Sequence, residues 1–154
     1  MPGSAGETIY VTHSPEETIA RGRELAARMT PPLLVLLSGD LGSGKTTLAK
    51  GIISGLGAAS EDEVTSPTFT LVHVFRYASV DAPEKPAKIY HADLYRIDNF
   101  HDLESIGLED ALTEPAIIVI EWSERFQLAN DWPRLEISLE HLGADARRIS
   151  VRGR

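Results

Sequence analysis

Two apolar runs dominate the pattern of the chain: Leu33-Leu34-Val35-Leu36-Leu37, and Ala116-Ile117-Ile118-Val119-Ile120 running into Glu121-Trp122. Runs this short and this apolar, bounded by prolines and turn formers, predict strands buried on both faces of a parallel sheet. Weaker alternation predicts further strands at Thr8–Thr12, Phe69–Phe75, Ala87–Asp93, Leu135–Leu139 and Arg148–Val151. The pair 69–75 and 87–93 is expected to form an antiparallel hairpin, and the last two to close the sheet. Helical signals fall between the strands. Ser14-Pro15-Glu16-Glu17 supplies a cap, a first-turn proline and a capping box. The helix it opens is expected to reach about Met29, burying Ile19, Leu25, Ala26 and Met29, before Thr30-Pro31-Pro32 stops it. A second helix is predicted from near Gly44 to Gly55-Leu56-Gly57, with Leu48, Ile52 and Gly55 on one face, and short helical pieces broken at Gly107 span Phe100 to Leu112. Together these predict an α/β fold with a mostly parallel central sheet, added antiparallel strands and helices on both faces. At 154 residues the chain suits one domain over residues 7–154, after a loose end at 1–6.

Directly after the first apolar run comes Gly39-Asp40-Leu41-Gly42-Ser43-Gly44-Lys45-Thr46, the pattern G-x-x-x-x-G-K-[ST]. Its order, strand then loop then helix, is the one in which the pattern makes a phosphate-binding loop, and it defines the domain as a P-loop NTPase. Asp40, Leu41, Gly42, Ser43 and Gly44 would turn backbone N–H groups inward as an anion nest. Lys45 would bring a point charge to the outer phosphates, Thr46 a hydroxyl for Mg²⁺, and Thr47 belongs to the first helical turn, whose dipole favours anions.

A loop-bound Mg²⁺ needs further hard oxygens from neighbouring strand ends. Glu121 ends the second apolar run, where it would reach the metal, hold its water or orient the attacking water. Asp93 ends another strand in His91-Ala92-Asp93-Leu94-Tyr95-Arg96, and a carboxylate there must sit in a polar site or face water. Thr68, in Ser66-Pro67-Thr68-Phe69-Thr70, fits a switch-like segment as well as it fits a plain turn. Trp122 is either a core aromatic or a neighbour of the nucleotide. No Asn-Lys-x-Asp guanine reader exists, since Asn99 and Asn130 are the only asparagines, which favours adenine. His73, His91, His101 and His141 lack metal spacing and read as structural or surface residues. No arginine is obviously placed to serve as an internal finger.

Charge narrows the partners. The formal net charge of −8 disfavours direct, tight grip on DNA or RNA through phosphates. Acidic clusters at Glu61-Asp62-Glu63 and from Asp98 to Glu114 are a solvated face or a docking surface for a protein. The absence of cysteine suits the cytoplasm, and no apolar stretch is long enough for a membrane span.

The combination of the phosphate loop with Ser66-Pro67-Thr68-Phe69-Thr70-Leu71, His91-Ala92-Asp93-Leu94-Tyr95-Arg96, Ile120-Glu121-Trp122 and Ser14-Pro15-Glu16-Glu17-Thr18 resembles the bacterial TsaE (YjeE) family over nearly the whole chain. The resemblance implies a small Mg²⁺-dependent ATPase that supports a TsaB–TsaD pair in making threonylcarbamoyladenosine beside the anticodon, reaching tRNA only through that complex. It also implies that Thr46 and Glu121 bind Mg²⁺, that Asp93 assists hydrolysis, that Thr68 lies in a switch-like loop and that Trp122 shapes the site. Thr12 to Glu16 and Gly143 to Arg148 would flank the adenine, and Ser43 stands where the family often has Ala. Two rivals share the loop: a small-molecule kinase, and a nucleotide-gated binding module without turnover.

Overall fold

In a computed structural model describing residues 6–67, 72–78, 86–105, 107–125 and 131–153, the two apolar runs lie side by side at the centre of a seven-stranded sheet. The strands are β1 (Glu7–Thr12), β2 (Leu33–Ser38), β3 (Val72–Ala78), β4 (Pro86–Asp93), β5 (Ile117–Glu121), β6 (Arg134–Gly143) and β7 (Ala146–Gly153), in the order β1-β7-β6-β2-β5-β4-β3. β6, β2, β5 and β4 are mutually parallel, whereas β1 and β7 on one flank and β3 on the other pair antiparallel. The fold is thus the expected α/β architecture, and β5 is buried at every position, as a central parallel strand must be. The hairpin of β3 with β4 and the closing pair β6–β7 both form. Residues 1–5 of the expected loose end, Thr68 to Leu71 and the loop 79–85 lie outside the described residues.

Helices α1 (Pro15–Ala26) and α2 (Lys45–Gly55) cover one face, over a core that includes Val35, Leu37, Val119, Ile137 and Ile149. The short helices α3 (Phe100–Ser105) and α4 (Leu108–Ala111) are separated at Gly107, and Leu108 and Ala111 pack with Leu34, Ile118 and Ile120 on the opposite face. Because side chains alternate along a strand, residues of even number on β2 and β5 serve one core and those of odd number the other. Among the described residues no helix is long and apolar enough to cross a membrane.

The start of α1 follows its capping signal: Ser14 Oγ accepts from the Glu17 N–H (3.1 Å), and Glu17 accepts from the His13 N–H (3.1 Å). Its end and its face differ from expectation. The helix stops at Ala26, and the following residues tighten into i→i−3 bonds, Arg28 N–H to Leu25 O and Met29 N–H to Ala26 O, which still bury Met29. The buried stripe is Thr18, Gly22 and Ala26, while Ile19 and Leu25 are half-buried. The reason is a close helix crossing. A Cβ on Gly22 would stand 2.6 Å from Leu48 O and 3.0 Å from Gly51 Cα, so glycine alone lets α1 lie down on α2.

That contact holds the helix carrying the phosphate loop. Gly22→Ala is expected to destabilise the protein by about 1–3 kcal/mol, although alanine is normally the better helix former. Urea denaturation would check this: an unchanged or raised midpoint would mean the crossing relaxes freely.

Candidate functional site

The phosphate loop grows out of β2. Gly39, Gly42 and Gly44 have φ of 143°, 79° and 104°, and Gly44 caps α2 from the left-handed region, where a side chain would be strained. A Cβ on Gly39 would also stand 2.5 Å from Leu139 O of β6. The loop is closed internally by the Ser43 N–H on Asp40 O (3.0 Å). From outside, the Gly39 N–H donates to Glu124 Oε2 (3.3 Å), and Arg147 Nη2 donates to Gly42 O (3.2 Å).

Lys45 opens α2 and folds back across the loop. Its ammonium donates to Gly39 O (2.6 Å), Asp40 O (2.9 Å) and Ser43 Oγ (3.4 Å), and lies 3.8 Å from the centre of the Trp122 ring. Burial lowers its pKa from the usual lysine value, and the charges of Glu121, Glu124, Asp93 and Asp40 oppose that shift only in part. A phosphate would supply the countercharge that these carboxylates give incompletely.

Parallel pairing brings the carboxylates to the same place. Leu37 of β2 is level with Glu121 of β5, which is level with Asp93 of β4, so the three strands end together beside the loop. Glu121 and Asp93 share the face on which α2 packs. Thr46 Oγ1 donates to Glu121 Oε1 (2.8 Å) and lies 3.0 Å from Oε2. Asp93 Oδ2 accepts from Ser66 Oγ (2.9 Å) and Oδ1 from the Tyr95 N–H (2.8 Å), so the Asp93 carboxylate is in a polar site. After Glu121 the chain turns sharply. Trp122 has φ of 61°, a conformation a bulky residue adopts at a cost of about 1–3 kcal/mol. The turn lays the Trp122 ring over Lys45 and against Tyr95, 4.8 Å between ring centres.

These groups line a cleft of about 400 Å³ bounded by Leu41, Gly42, Gly44, Lys45, Thr46 and Thr47 on the loop side and by Ser66, Asp93, Tyr95, Glu121, Trp122 and Arg147 across from it. The donor set fits a magnesium nucleotide: a backbone cradle with glycine at positions 39, 42 and 44, one ammonium, and a hydroxyl in contact with a carboxylate. No group of three or more His, Cys, Asp or Glu is placed to hold a metal ion among the described residues. Mg²⁺ has no need of such a cage, since it keeps several waters and is held by one or two protein oxygens plus phosphate.

Most sequence candidates converge here; of the described ones, Asp40 and Ser43 belong to the loop without lining the cleft, and Thr12 and Gly143 do not line it either. Thr12 is buried with its hydroxyl 2.7 Å from that of Thr18, and Gly143 ends β6 in the turn to β7. Their segments are nevertheless neighbours, because Thr12 pairs across the sheet with Arg147. Thr68 lies outside the described residues, two positions beyond Ser66. Several residues had no signal as single positions. Arg147, within the segment Gly143 to Arg148, reaches the loop from a hairpin remote in sequence and holds Gly42 O. His91, read as structural or surface, is fully buried with Nε2 at 2.6 Å from Glu121 Oε2. Alternation could have flagged it, because it stands two positions before Asp93 and so on the same face.

The model of the family described as "Threonylcarbamoyl adenosine biosynthesis protein TsaE" matches residues 12–149. The chain is similar to the tRNA threonylcarbamoyladenosine biosynthesis protein TsaE of Haemophilus influenzae, 42% identical over 77% of this chain and 69% of that one. It is 34% identical to the protein of the same name from Treponema pallidum, over 92% and 97% of the two chains. Among solved structures it superposes on that of Bacillus subtilis YdiB with a TM-score of 0.67 and 31% identity, covering 95% of this chain and 84% of the other.

Arg147→Ala removes the outside tie on Gly42. Amides of Asp40 to Ser43 are expected to exchange with solvent about ten-fold faster, with global stability changed by no more than about 1 kcal/mol. Hydrogen exchange followed by mass spectrometry would read this, and unchanged protection would show the loop to be held from within.

Proposed function

The chain belongs to the TsaE family of tRNA threonylcarbamoyladenosine biosynthesis, whose members are P-loop nucleotide-binding proteins, and we propose that it is a Mg²⁺-dependent ATPase supporting a TsaB–TsaD protein pair in that modification. The observation that carries the reading is the contact of Thr46 with Glu121, a loop hydroxyl and a strand-end carboxylate held against each other beside Lys45.

In this reading the loop amides from Asp40 to Thr47 cradle the phosphates and Lys45 leaves its backbone carbonyls for the outer phosphate oxygens. Thr46 and Glu121, with Asp93 beside them, hold the metal directly or through water. Mg²⁺, when bound, neutralises charge on the transferring phosphoryl group. Asp93, fixed by Ser66 and the Tyr95 N–H, orients the attacking water. Thr68 senses the outer phosphate from the switch-like segment. Trp122 walls the site, and the neighbouring Thr12 and Gly143 segments flank the adenine. The acidic net charge supports action through protein partners, with tRNA approached only through them, in the cytoplasm.

The native chain is expected to hydrolyse ATP slowly alone and faster with the TsaB–TsaD pair, measured as phosphate release; equal rates with and without partners would reject the dependence. Lys45→Ala should abolish productive nucleotide binding. Glu121→Ala should keep nucleotide but lose turnover by about a hundred-fold or more, and a native rate in that variant would remove Glu121 from the chemistry.

A further inference from the structure

His91 lies two residues before the end of β4 and exposes none of its side chain. It points to the α2 face, level with Val119 and one pleat before Asp93, so its ring lies diagonally from Glu121 on the adjacent strand. Nε2 lies 2.6 Å from Glu121 Oε2. An ionised carboxylate only accepts, so the ring nitrogen donates. Nδ1 is buried without a hydrogen-bond partner among the described residues. The bond to Glu121 is therefore the one hydrogen bond that the described residues give this ring, which otherwise meets the His73 ring edge-on at 6.4 Å between centres. A position requiring volume alone would be filled at lower cost by an aromatic hydrocarbon, because a buried nitrogen without a partner is unfavourable.

Glu121 is itself 2% exposed and carries several rotatable bonds. Thr46 sits against both of its oxygens, and His91 holds Oε2 from the side of the sheet. Resting on the reading of Glu121 as a group that serves the metal, we propose that His91 is its positioning residue, fixing the carboxylate plane so that it meets Thr46 and a magnesium nucleotide without reorganising. Removing the partner that orients a ligating group typically weakens metal affinity or activity about 10–100-fold.

The test compares native protein with His91→Phe, which keeps an aromatic ring without the donor, and His91→Gln, which returns an amide N–H. ATP binding is measured by calorimetry in EDTA and then against rising MgCl₂, and hydrolysis is split into kcat and KM. His91→Phe should bind ATP in EDTA as native does, need about 10–100-fold more Mg²⁺ and lose kcat with little change in KM, and His91→Gln should recover most of the loss. Native Mg²⁺ dependence in a folded His91→Phe protein, or a folded His91→Gln no better than it, overturns the proposal while leaving the ATPase reading standing. No effect of Mg²⁺ on ATP binding or hydrolysis by the native chain would bring down both. Independently of any variant's folding, ¹⁵N-histidine spectra of the native chain should show a slowly exchanging proton on Nε2 of His91; its absence also overturns the proposal.

Discussion

A buried carboxylate must be partnered, and Glu121 is the group around which this site is arranged. It lies at the end of the most deeply buried strand, 2% exposed, where an isolated ionised group would be prohibitively costly. Its oxygens meet the Thr46 hydroxyl from α2 and the His91 ring from β4, and the charge of Lys45 lies close by. The partners come from α2 and β4, so the carboxylate is fully satisfied only when β4 and β5 are in register and α2 begins where it does. A one-residue slip of β4 against β5 would turn His91 and Asp93 to the α4 face and take the His91 bond away from Glu121. The site and the sheet register therefore specify each other.

Legibility followed the physical reach of each signal. The apolar runs declared β2 and β5 because burial on both faces demands an unbroken hydrophobic strand, and Ser14 with Glu17 declared the start of α1 because capping is local chemistry. The face of α1 was read in part: Ala26 and Met29 are buried as expected, but side-chain size also favoured Ile19 and Leu25, whereas the crossing with α2 rewards the absence of a side chain at Gly22. Lys45 and Thr46 were visible because a contiguous loop contains the entire phosphate cradle. Arg147 was invisible as a single residue, because its approach to Gly42 depends on where the β6–β7 hairpin folds. His91 lies between: its alternation with Asp93 was in the sequence, but the partner that gives it meaning stands on another strand.

The loop is restrained from both flanks. On one side β5 runs into the strained Trp122, and the turn beyond it anchors the loop through the Glu124 carboxylate on the Gly39 N–H and the Ser123 hydroxyl on Leu37 O. On the other, Leu139 O of β6 presses against Gly39, and Arg147 holds Gly42. Lys45 bridges the two, lying between loop carbonyls and the Trp122 face. A phosphate entering the cradle competes for this same ammonium, so its arrival must alter the contact between Lys45 and Trp122 and, through the ring pair, Tyr95. The Tyr95 N–H in turn fixes Asp93, whose other oxygen holds Ser66 at the head of the segment containing Thr68. The loop is thereby linked, through the Trp122 and Tyr95 rings and Asp93, to Ser66 across the cleft. That linkage is the physical form a nucleotide-dependent signal to a partner protein would take.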